Sequence, residues 1–437
     1  MCDLMCGMDA PNRAHVNYAA KPTNRKMIDS RTFVRYNRDM LIQNTPDTIT
    51  KITQMGDVTL YEPAGDQPQS EKRTPTHQRS RGGEAGERYQ ATSLADCISN
   101  VSTPTGKKPI LKTMLTTACE RNCFYCPFRA GRGKTKRVTI SPDALAGAFD
   151  QLVKARMVDG LFLSSGIIKG SITTQDKLID SVEIIRKKYG YRGYIHLKIM
   201  PGAEEDQLLR AMQLSDRISV NLEAPTQARL DALAPKKQFE AELLNMLRLA
   251  EKIRREHPHQ KLARTVTQFV VGAVGDTDLE LLGLTANLYQ HTGLARAYFS
   301  AFHPVIQTPL ENIAPTDAIR EFRLYQSSFL LRDYGWEVEE LPFSDGGNLP
   351  TDVDPKKAYA DVHLRENPVD LASADRSQLM RVPGIGPKGA DAILKARRIG
   401  TLRDLADLRK LNIKAPDQAA PYILIAGKRP PAQLTLF

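Results

Sequence analysis

The sequence predicts an α/β fold: a partial, TIM-like (β/α)6 barrel followed by a small all-α C-terminal domain. Between residues 90 and 345, short apolar runs alternate with amphipathic segments, a pattern typical of βα units and a parallel sheet. After residue 376 the pattern changes to short helical segments around a glycine-rich turn. The 437 residues suffice for one large and one smaller domain.

Six apolar runs predict the strands, and an amphipathic segment after each run predicts a helix. The predicted strands are 110–115, 161–163, 194–199, 217–223, 266–271 and 297–302. One predicted helix begins at Pro142, and the others are 175–189, 204–214, 239–256, 279–290 and 316–334. Ser141-Pro142-Asp143 supplies a cap, a first-turn proline and an acid near the positive end of the helix dipole. In a parallel barrel, function lies at the carboxyl ends of the strands.

The remaining segments set the domain boundaries. Residues 1–88 are polar and rich in turn-forming and charged residues, so we expect most of this extension to be disordered or loosely packed. The other predicted boundaries are a core at 89–345, a linker at 346–375, a second domain at 376–428 and a tail at 429–437. We expect a cytoplasmic protein with no membrane span, because long apolar runs and a secretory signal pattern are missing. The net charge of +11 favours a polyanionic partner.

Three of the six cysteines lie in the loop after the first predicted strand. Cys119, Cys123 and Cys126 have the spacing C-x3-C-x2-C, and three thiolates in one short loop can bind three irons of a single 4Fe–4S cluster. The fourth iron then has no protein ligand in the motif and is open to S-adenosyl-L-methionine (SAM). The alternatives are cysteines without a shared role and a structural zinc site, which would normally need a fourth ligand.

This motif, with Phe124 and Tyr125 before its last cysteine, resembles the signature of the radical SAM family. The resemblance covers roughly 110–340. It implies a 4Fe–4S cluster and SAM as cofactors, an electron donor, and reductive cleavage of SAM to a 5′-deoxyadenosyl radical. The sequence leaves the catalytic residues unassigned.

The resemblance also implies which residues hold SAM near the strand ends. The backbone at Ser165 and Gly166 would receive the SAM amino group. Lys198, on one face of the third strand with His196, would neutralise the SAM carboxylate or a substrate phosphate. The alternatives are an ordinary strand-end turn and a solvated surface lysine.

Two further positions are implied in the same way. Asn221 or Glu223 would hold the ribose hydroxyls or the methionine moiety, because strand alternation points both side chains to one face. Gly272 and Gly275, in the turn after the fifth strand, would let the adenine approach closely. A polar residue at the barrel mouth and an ordinary turn are the alternatives.

Residues 382–394 resemble the helix-hairpin-helix DNA-binding motif. Gly384 and Gly386 allow a tight hairpin whose backbone N–H groups can bind a phosphate at the start of a helix, and Ile385 is expected to pack inward. The cations predicted to contact DNA are Lys388, Lys395, Arg397 and Arg398. Such a hairpin binds phosphates rather than bases and therefore positions DNA without sequence specificity. A protein-interaction module is the alternative.

The last five residues resemble the peptide with which bacterial proteins bind the replication sliding clamp. Leu434, Leu436 and Phe437 would fill an apolar groove, and Gln433 would fix the register. The alternative is a tail that folds back on its own domain.

A radical SAM core followed by a helix-hairpin-helix resembles a bacterial family of DNA modification or repair radical SAM proteins. These are often encoded beside a uracil-DNA-glycosylase-like protein. The resemblance implies a nucleoid-associated enzyme whose partners are DNA, the sliding clamp, the glycosylase-like protein and an electron donor. Two alternatives stay open: a radical SAM enzyme that modifies tRNA, and a non-catalytic iron–sulfur recruitment factor in DNA repair.

Overall fold

The structure is a computed structural model that describes residues 46–55, 94–103, 106–133 and 135–431. The predicted clamp peptide, which comprises Gln433, Leu434, Leu436 and Phe437, therefore lies outside the described residues. Among the residues that the structure does describe, no helix combines the length and the apolar character that crossing a membrane requires.

One seven-stranded sheet, curled into a half-barrel, forms the centre of the molecule, and its strands follow each other in chain order. The strands are β1 (Ile98–Thr103), β2 (Gly106–Met114), β3 (Gly160–Ser164), β4 (Tyr194–Lys198), β5 (Arg217–Ser219), β6 (Arg264–Val271) and β7 (Arg296–Ala301). Strands β2 to β7 are parallel, as predicted, and β1 is an additional antiparallel strand at the edge beside β2.

Helices connect the parallel strands, and two further helices precede β1 and follow β7. In the first part of the chain these are α1 (Pro46–Thr53), α2 (Pro142–Lys154), α3 (Ser171–Lys187), α4 (Glu205–Leu214), α5 (Gln227–Leu233), α6 (Asn245–Glu256), α7 (Asp278–His291) and α8 (Ala318–Tyr334). Single-turn helices span Leu94–Cys97 and Val338–Glu340. The predicted cap of α2 is confirmed, since the Ser141 side chain accepts a hydrogen bond from the N–H of Ala144.

Two predicted elements differ from what the sequence suggested. The predicted helix 239–256 begins with a π-helical segment, Phe239–Leu244, before α6 continues it. The predicted fourth strand, 217–223, ends at Ser219 as β5. Beyond Ser219 the chain keeps single contacts with β6, including a bridge between Glu223 and Phe269, but Glu223 has a left-handed backbone with φ of 67° and does not continue the regular strand.

Part of the N-terminal extension is packed rather than loose. Within the extension predicted at 1–88, α1 packs against the single-turn helix Leu94–Cys97 and against α2, and Ile52 and Met55 are completely buried. The Cys97 thiol is equally buried and donates a hydrogen bond to the carbonyl of Ile52 at 3.2 Å. The prediction of a loosely packed segment is therefore wrong for residues 46–55, because apolar side chains of this stretch join the core.

The C-terminal domain has a hydrophobic core of its own. It comprises α9 (Pro355–His363), α10 (Arg376–Arg381), α11 (Pro387–Ala396), α12 (Leu405–Lys410), α13 (Pro416–Ala419) and a single-turn helix, Ala420–Tyr422. Two short parallel strands, β8 (Val369–Asp370) and β9 (Ile423–Leu424), pair beside the helices, so the domain is not strictly all-α. The predicted linker 346–375 is also wrong in part, because it contains α9, whose Ala360 is fully buried in this core.

Candidate functional site

The loop that carries the three cysteines, residues 116–139, leaves the carboxyl end of β2 and is fixed by its own backbone. Thr116 and Thr139 form an isolated bridge, and the N–H of Thr117 donates to the carbonyl of Val138 at 2.9 Å. The Arg137 guanidinium donates to the carbonyls of Thr117 and Phe128, each at 2.7 Å. The cysteine loop is thus closed at its base and braced across its middle.

The turn after β3 packs directly against the cysteine loop. The N–H of Gly166 donates to the carbonyl of Thr116, and the N–H of Glu120 donates to the carbonyl of Ile167, both at 2.8 Å. A Cβ atom on Gly166 would lie 2.2 Å from the carbonyl oxygen of Ala118, so only glycine fits this approach. The structure therefore places Ser165 and Gly166, two predicted SAM contacts, beside the cysteines.

The three thiols interact with one another and receive backbone hydrogen bonds. The N–H of Ile167 donates to Cys119 Sγ and the N–H of Phe128 donates to Cys126 Sγ, both at 3.4 Å. Burial raises the pKa of the Cys123 thiol, an effect that the positive charge of Lys237 opposes. Burial and the neighbouring Cys123 also raise the pKa of Cys126. Positive charge is what this pocket needs in order to hold thiolates.

The thiols fit an iron–sulfur cluster better than a single metal ion. In the described part of the chain, no three His, Cys, Asp or Glu side chains are arranged to hold one ion. A 4Fe–4S cluster does not require the three thiolates to converge on one point, because each thiolate binds a different iron. Backbone N–H bonds to sulfur, as found at Cys119 and Cys126, are among the contacts that tune such clusters. The donor set therefore fits the cluster that the spacing predicts.

A buried ion pair adjoins the cysteine loop. The Nζ of Lys237 lies 2.9 Å from a carboxylate oxygen of Glu223, and both side chains are almost fully buried. The Tyr125 hydroxyl also bonds the Glu223 carboxylate, and burial together with that negative charge raises the pKa of Tyr125 well above its ordinary value. Glu223 still pairs with Phe269 of β6, but its carboxylate is bound by Lys237, so its predicted contact with SAM stays a prediction.

Sequence reasoning missed Lys237. It lies in the turn between α5 and the π-helical segment, and nothing in its local sequence distinguishes it from Lys236. Only the fold brings it against Glu223 and the thiols of Cys123 and Cys126.

The other predicted SAM contacts on or just after the strands are polar, with Asn221 half-buried and Lys198 buried. The Nδ2 of Asn221 donates to Oε1 of Gln268 at 3.3 Å, while its Oδ1 has no hydrogen-bond partner among the described residues. Lys198 and His196 lie on the same face of β4 and are only 8% and 5% exposed. Burial and three neighbouring cations, including Lys198, hold the pKa of His196 well below its ordinary value. These side chains give the half-barrel a polar, positively charged interior.

The glycine turn after β6 is held from within the protein. The N–H of Gly272 donates to both carboxylate oxygens of Asp276 at 3.0 Å. Gly272 has φ of 86°, and a Cβ there would lie 2.1 Å from Oγ1 of Thr316. Gly275 also has a positive φ, of 73°. Both glycines are thus required by the turn itself, and the adenine contact stays a prediction.

The hairpin of the C-terminal domain connects α10 to α11. Gly384 has φ of 79° and is exposed, while Ile385 is 1% exposed and packs inward as predicted. Gly386 precedes α11 and provides no side-chain cap for its first turn. The N-terminus of a helix attracts anions because its first N–H groups have no partner within the helix.

The predicted DNA-contacting cations do not all face solvent. Lys388, Lys395 and Arg398 are exposed. Arg397 is half-buried, and its guanidinium donates to the carbonyl of Ala374 at 2.6 Å, which ties α11 to the start of α10. Arg397 therefore has a structural contact that the sequence did not indicate.

Two family models match the chain. The radical SAM superfamily model matches residues 113–284, and the helix-hairpin-helix motif model matches residues 365–424. The first match covers the cysteine loop and strands β3 to β6 with the helices between them. No curated protein is similar enough to match.

Several solved structures are similar at low identity. The FeFe-hydrogenase maturase HydG from Carboxydothermus hydrogenoformans is 16% identical, with a TM-score of 0.41 over 51% of this chain and 51% of that chain. Methylornithine synthase (PylB) is 15% identical, with a TM-score of 0.40 over 69% of this chain and 85% of that chain. The cobalamin-dependent S-adenosylmethionine radical enzyme OxsB, with aqua-cobalamin and S-adenosylmethionine bound, is 12% identical, with a TM-score of 0.32 over 53% and 31%.

This chain spans about half the length of the HydG structure. Radical SAM family proteins bind a 4Fe–4S cluster and SAM. The family match and the three-cysteine loop at the mouth of the half-barrel agree on the first part of the molecule, and the hairpin with its glycines agrees with the second match. The chain thus contains a radical SAM domain and a helix-hairpin-helix motif.

Proposed function

We propose that this chain is a radical SAM enzyme that modifies or repairs DNA, which its C-terminal hairpin holds. The observation that supports this most is the presence, in one compact unit, of a cysteine loop at the mouth of the half-barrel and an exposed Gly384–Lys388 hairpin. When bound, the cluster would supply the single electron that cleaves SAM.

The residues of this chain would hold the cofactors as follows. Cys119, Cys123 and Cys126 would hold the cluster, and the backbone of Ser165 and Gly166, which packs on the same loop, would receive the SAM amino group.

Lys198 would neutralise the SAM carboxylate, and the free Oδ1 of Asn221 would accept from a ribose hydroxyl. We assign Glu223 a positioning role instead, because Lys237 and Tyr125 hold its carboxylate against the cysteine loop. Gly272 and Gly275 would leave room for the adenine.

The DNA would be held through its phosphates and would present one nucleotide to the barrel mouth. The N-terminus of α11 and the exposed Lys388, Lys395 and Arg398 would bind phosphates without reading the bases. A buried reaction centre can reach a base only if that nucleotide is flipped out of the duplex or lies in a single strand.

The radical SAM part of the proposal is tested by anaerobic reconstitution with iron and sulfide. With SAM and a strong reductant, we expect the protein to release 5′-deoxyadenosine, measured by liquid chromatography. Cys126→Ser should abolish the product. Cys97→Ser is the matched control, because Cys97 is buried outside the loop and a serine can keep its bond to Ile52. Absence of product from the reconstituted wild type, or undiminished product from Cys126→Ser, would contradict the assignment.

The DNA part is tested by binding at one fixed salt concentration, because phosphate contacts are strongly salt-dependent. We expect duplex or single-stranded DNA to bind more tightly than tRNA, and Lys388→Gln to weaken that binding, with Arg397→Gln as the comparison for a cation engaged in structure. Tighter tRNA binding would favour the tRNA-modifying alternative. Mass spectrometry of nucleosides from DNA incubated with the reconstituted enzyme would then identify the product.

A further inference from the structure

A cavity of about 680 Å³ lies at the end of the sheet opposite the cysteine loop. Its walls come from the first residues of β5, β6 and β7 and from the last turns of α6, α7 and α8. Since β6 has eight residues, the two ends of the sheet are separated by roughly 25 Å at about 3.3 Å per residue. The cavity is therefore a separate feature and does not belong to the proposed SAM site.

Arginine dominates the lining. Five guanidinium groups face the cavity, against one lining carboxylate, that of Asp333; they belong to Arg217, Arg254, Arg264, Arg296 and Arg332. The pocket therefore has a strongly positive potential and favours an anionic ligand.

The sheet register explains why three of these arginines lie together on one face of the sheet. Arg217 of β5 is the direct partner of Arg264 of β6. Arg296 of β7 pairs with Val266, two residues after Arg264, so its side chain leaves the sheet on the same face. Like charges directly opposite each other on adjacent strands destabilise a sheet. A bound anion would offset that repulsion.

The arginine side chains are also held in place, as a binding site requires. Arg217 donates to the hydroxyl of Tyr298 at 3.1 Å. Arg296 is 4% exposed, and its guanidinium lies 5.0–5.5 Å from the ring centres of Tyr298, Tyr325 and Phe329. Fixing these rotamers in advance reduces the entropy lost on binding.

The other two arginines have evident structural contacts. Arg254 pairs with Glu251 at 3.4 Å and donates to Oγ1 of Thr265 at 2.9 Å. Arg332 pairs with Asp333 at 2.9 Å and donates to the carbonyl of Ala295 at 3.2 Å. Cations are expected at such helix C-termini whether or not a ligand binds. Because each is paired with a carboxylate, these two arginines add little positive potential, and the three strand arginines are the candidate ligands for an anion.

We propose that this cavity binds the polyphosphate group of a nucleotide. Guanidinium groups match phosphate oxygens in a bidentate fashion, and several convergent arginines suit a multiply charged phosphate chain. The volume falls within the range of small-molecule sites. Tyr289, whose hydroxyl accepts from the N–H of Ala297 at 3.3 Å, provides an aromatic wall for the base. The cavity is too small for a duplex, which argues against DNA as the occupant.

The test is calorimetric titration of the full-length protein without cluster, at about 0.15 M ionic strength, with ATP, pyrophosphate and inorganic phosphate in separate runs. We expect ATP to bind more tightly than pyrophosphate, and inorganic phosphate to bind most weakly. Arg217→Gln should weaken ATP binding at least about tenfold. Arg264→Gln, at the exposed rim, should do the same without risk to folding.

Two control variants separate this site from other anion sites. Arg255→Gln changes a 71% exposed arginine next to Arg254 on α6, outside the cavity, and should bind ATP like the wild type. Lys388→Gln alters the hairpin and should also leave ATP binding intact.

No ATP binding to the wild type, equal binding by Arg264→Gln, or a loss in Lys388→Gln alone would overturn the proposal. Inorganic phosphate binding as tightly as ATP would overturn the nucleotide assignment. None of these outcomes depends on the SAM chemistry, which the experiment does not use.

Discussion

Two lysines removed from water, Lys237 beside the cysteine loop and Lys356 at the junction with the C-terminal domain, face opposite surroundings. Lys237 lies 2.9 Å from the Glu223 carboxylate. The Nζ of Lys356 instead donates to the carbonyl of Ile385 at 2.6 Å and lies 4.7 Å from the centre of the Tyr334 ring. A full negative charge compensates the first lysine, whereas a carbonyl dipole and an aromatic ring compensate the second only in part.

The two pKa shifts follow from this contrast. Burial lowers the pKa of Lys237, but the Glu223 carboxylate together with Cys123 and Cys126 outweighs burial, and the resulting pKa lies above the ordinary value. Burial lowers the pKa of Lys356 to about 7, with Asp354 opposing the shift and Arg381 adding to it. The cofactor end of the molecule therefore has fixed charges, while the junction between the domains can titrate near neutral pH.

Of the changes considered, removal of Lys237 should reduce the free energy of unfolding most. Lys237→Met leaves the Glu223 carboxylate buried without its cation, and breaking a buried pair in this way costs about 3–5 kcal/mol of unfolding free energy. The measurement is urea-induced unfolding followed by circular dichroism. The double variant Lys237→Met/Glu223→Gln removes both charges and should recover much of the loss. If the single variant lost less than about 1 kcal/mol, the pair would behave like a surface ion pair.

The titrating lysine should make stability depend on pH. Between pH 7 and its ordinary pKa of 10.5, Lys356 binds fewer protons in the folded than in the unfolded chain, so stability rises with pH across this window. The slope is on the order of 1 kcal/mol per pH unit.

Thermal unfolding of the wild type from pH 7 to pH 9 would measure this slope. Lys356→Met should flatten the curve, and Lys357→Met, which changes an exposed neighbour, should not. An unchanged slope in Lys356→Met would show that another group titrates.

The smallest change in the free energy of unfolding is expected at Arg264, where two like charges lie opposite each other near solvent. Arg264 is exposed and lies opposite Arg217, so Arg264→Gln should raise unfolding free energy by a few tenths of a kcal/mol at low salt. Salt at about 1 M should remove the gain, because screening then acts within about 3 Å. A loss of stability at low salt would mean that Arg264 is compensated in the folded chain.

The sequence alone predicts the features that depend on residues close together in the chain. The three cysteines lie within eight residues of one another, and Ser141 caps α2 from the position just before the helix. Local spacing is therefore enough to predict both the cysteine loop and the start of α2. The six parallel strands follow from apolar runs, most of whose residues are buried on both faces.

What the sequence did not reveal depends on contacts between distant residues or on weak local patterns. Glu223 meets Lys237 and Tyr125 only after its backbone has left the strand conformation. Helix α1 and the turn after it have apolar side chains at Ile52 and Met55 in an otherwise polar segment, which is too short a pattern to stand out. Helix α9 has nine residues, and its burial comes from the two domains that it touches.

Helix α9 lies between the half-barrel and the C-terminal core, and this position has a consequence for any substrate. The Tyr359 ring packs 4.8 Å from that of Trp336, Ala360 is buried in the C-terminal core, and Arg381 pairs with Glu340 at 2.6 Å. These contacts favour a stiff connection between the hairpin and the half-barrel. If a nucleic acid binds at the hairpin, a fixed distance separates that binding site from the barrel mouth. The nucleotide that reaches the barrel mouth would then lie a constant number of phosphates from the hairpin, whatever its sequence.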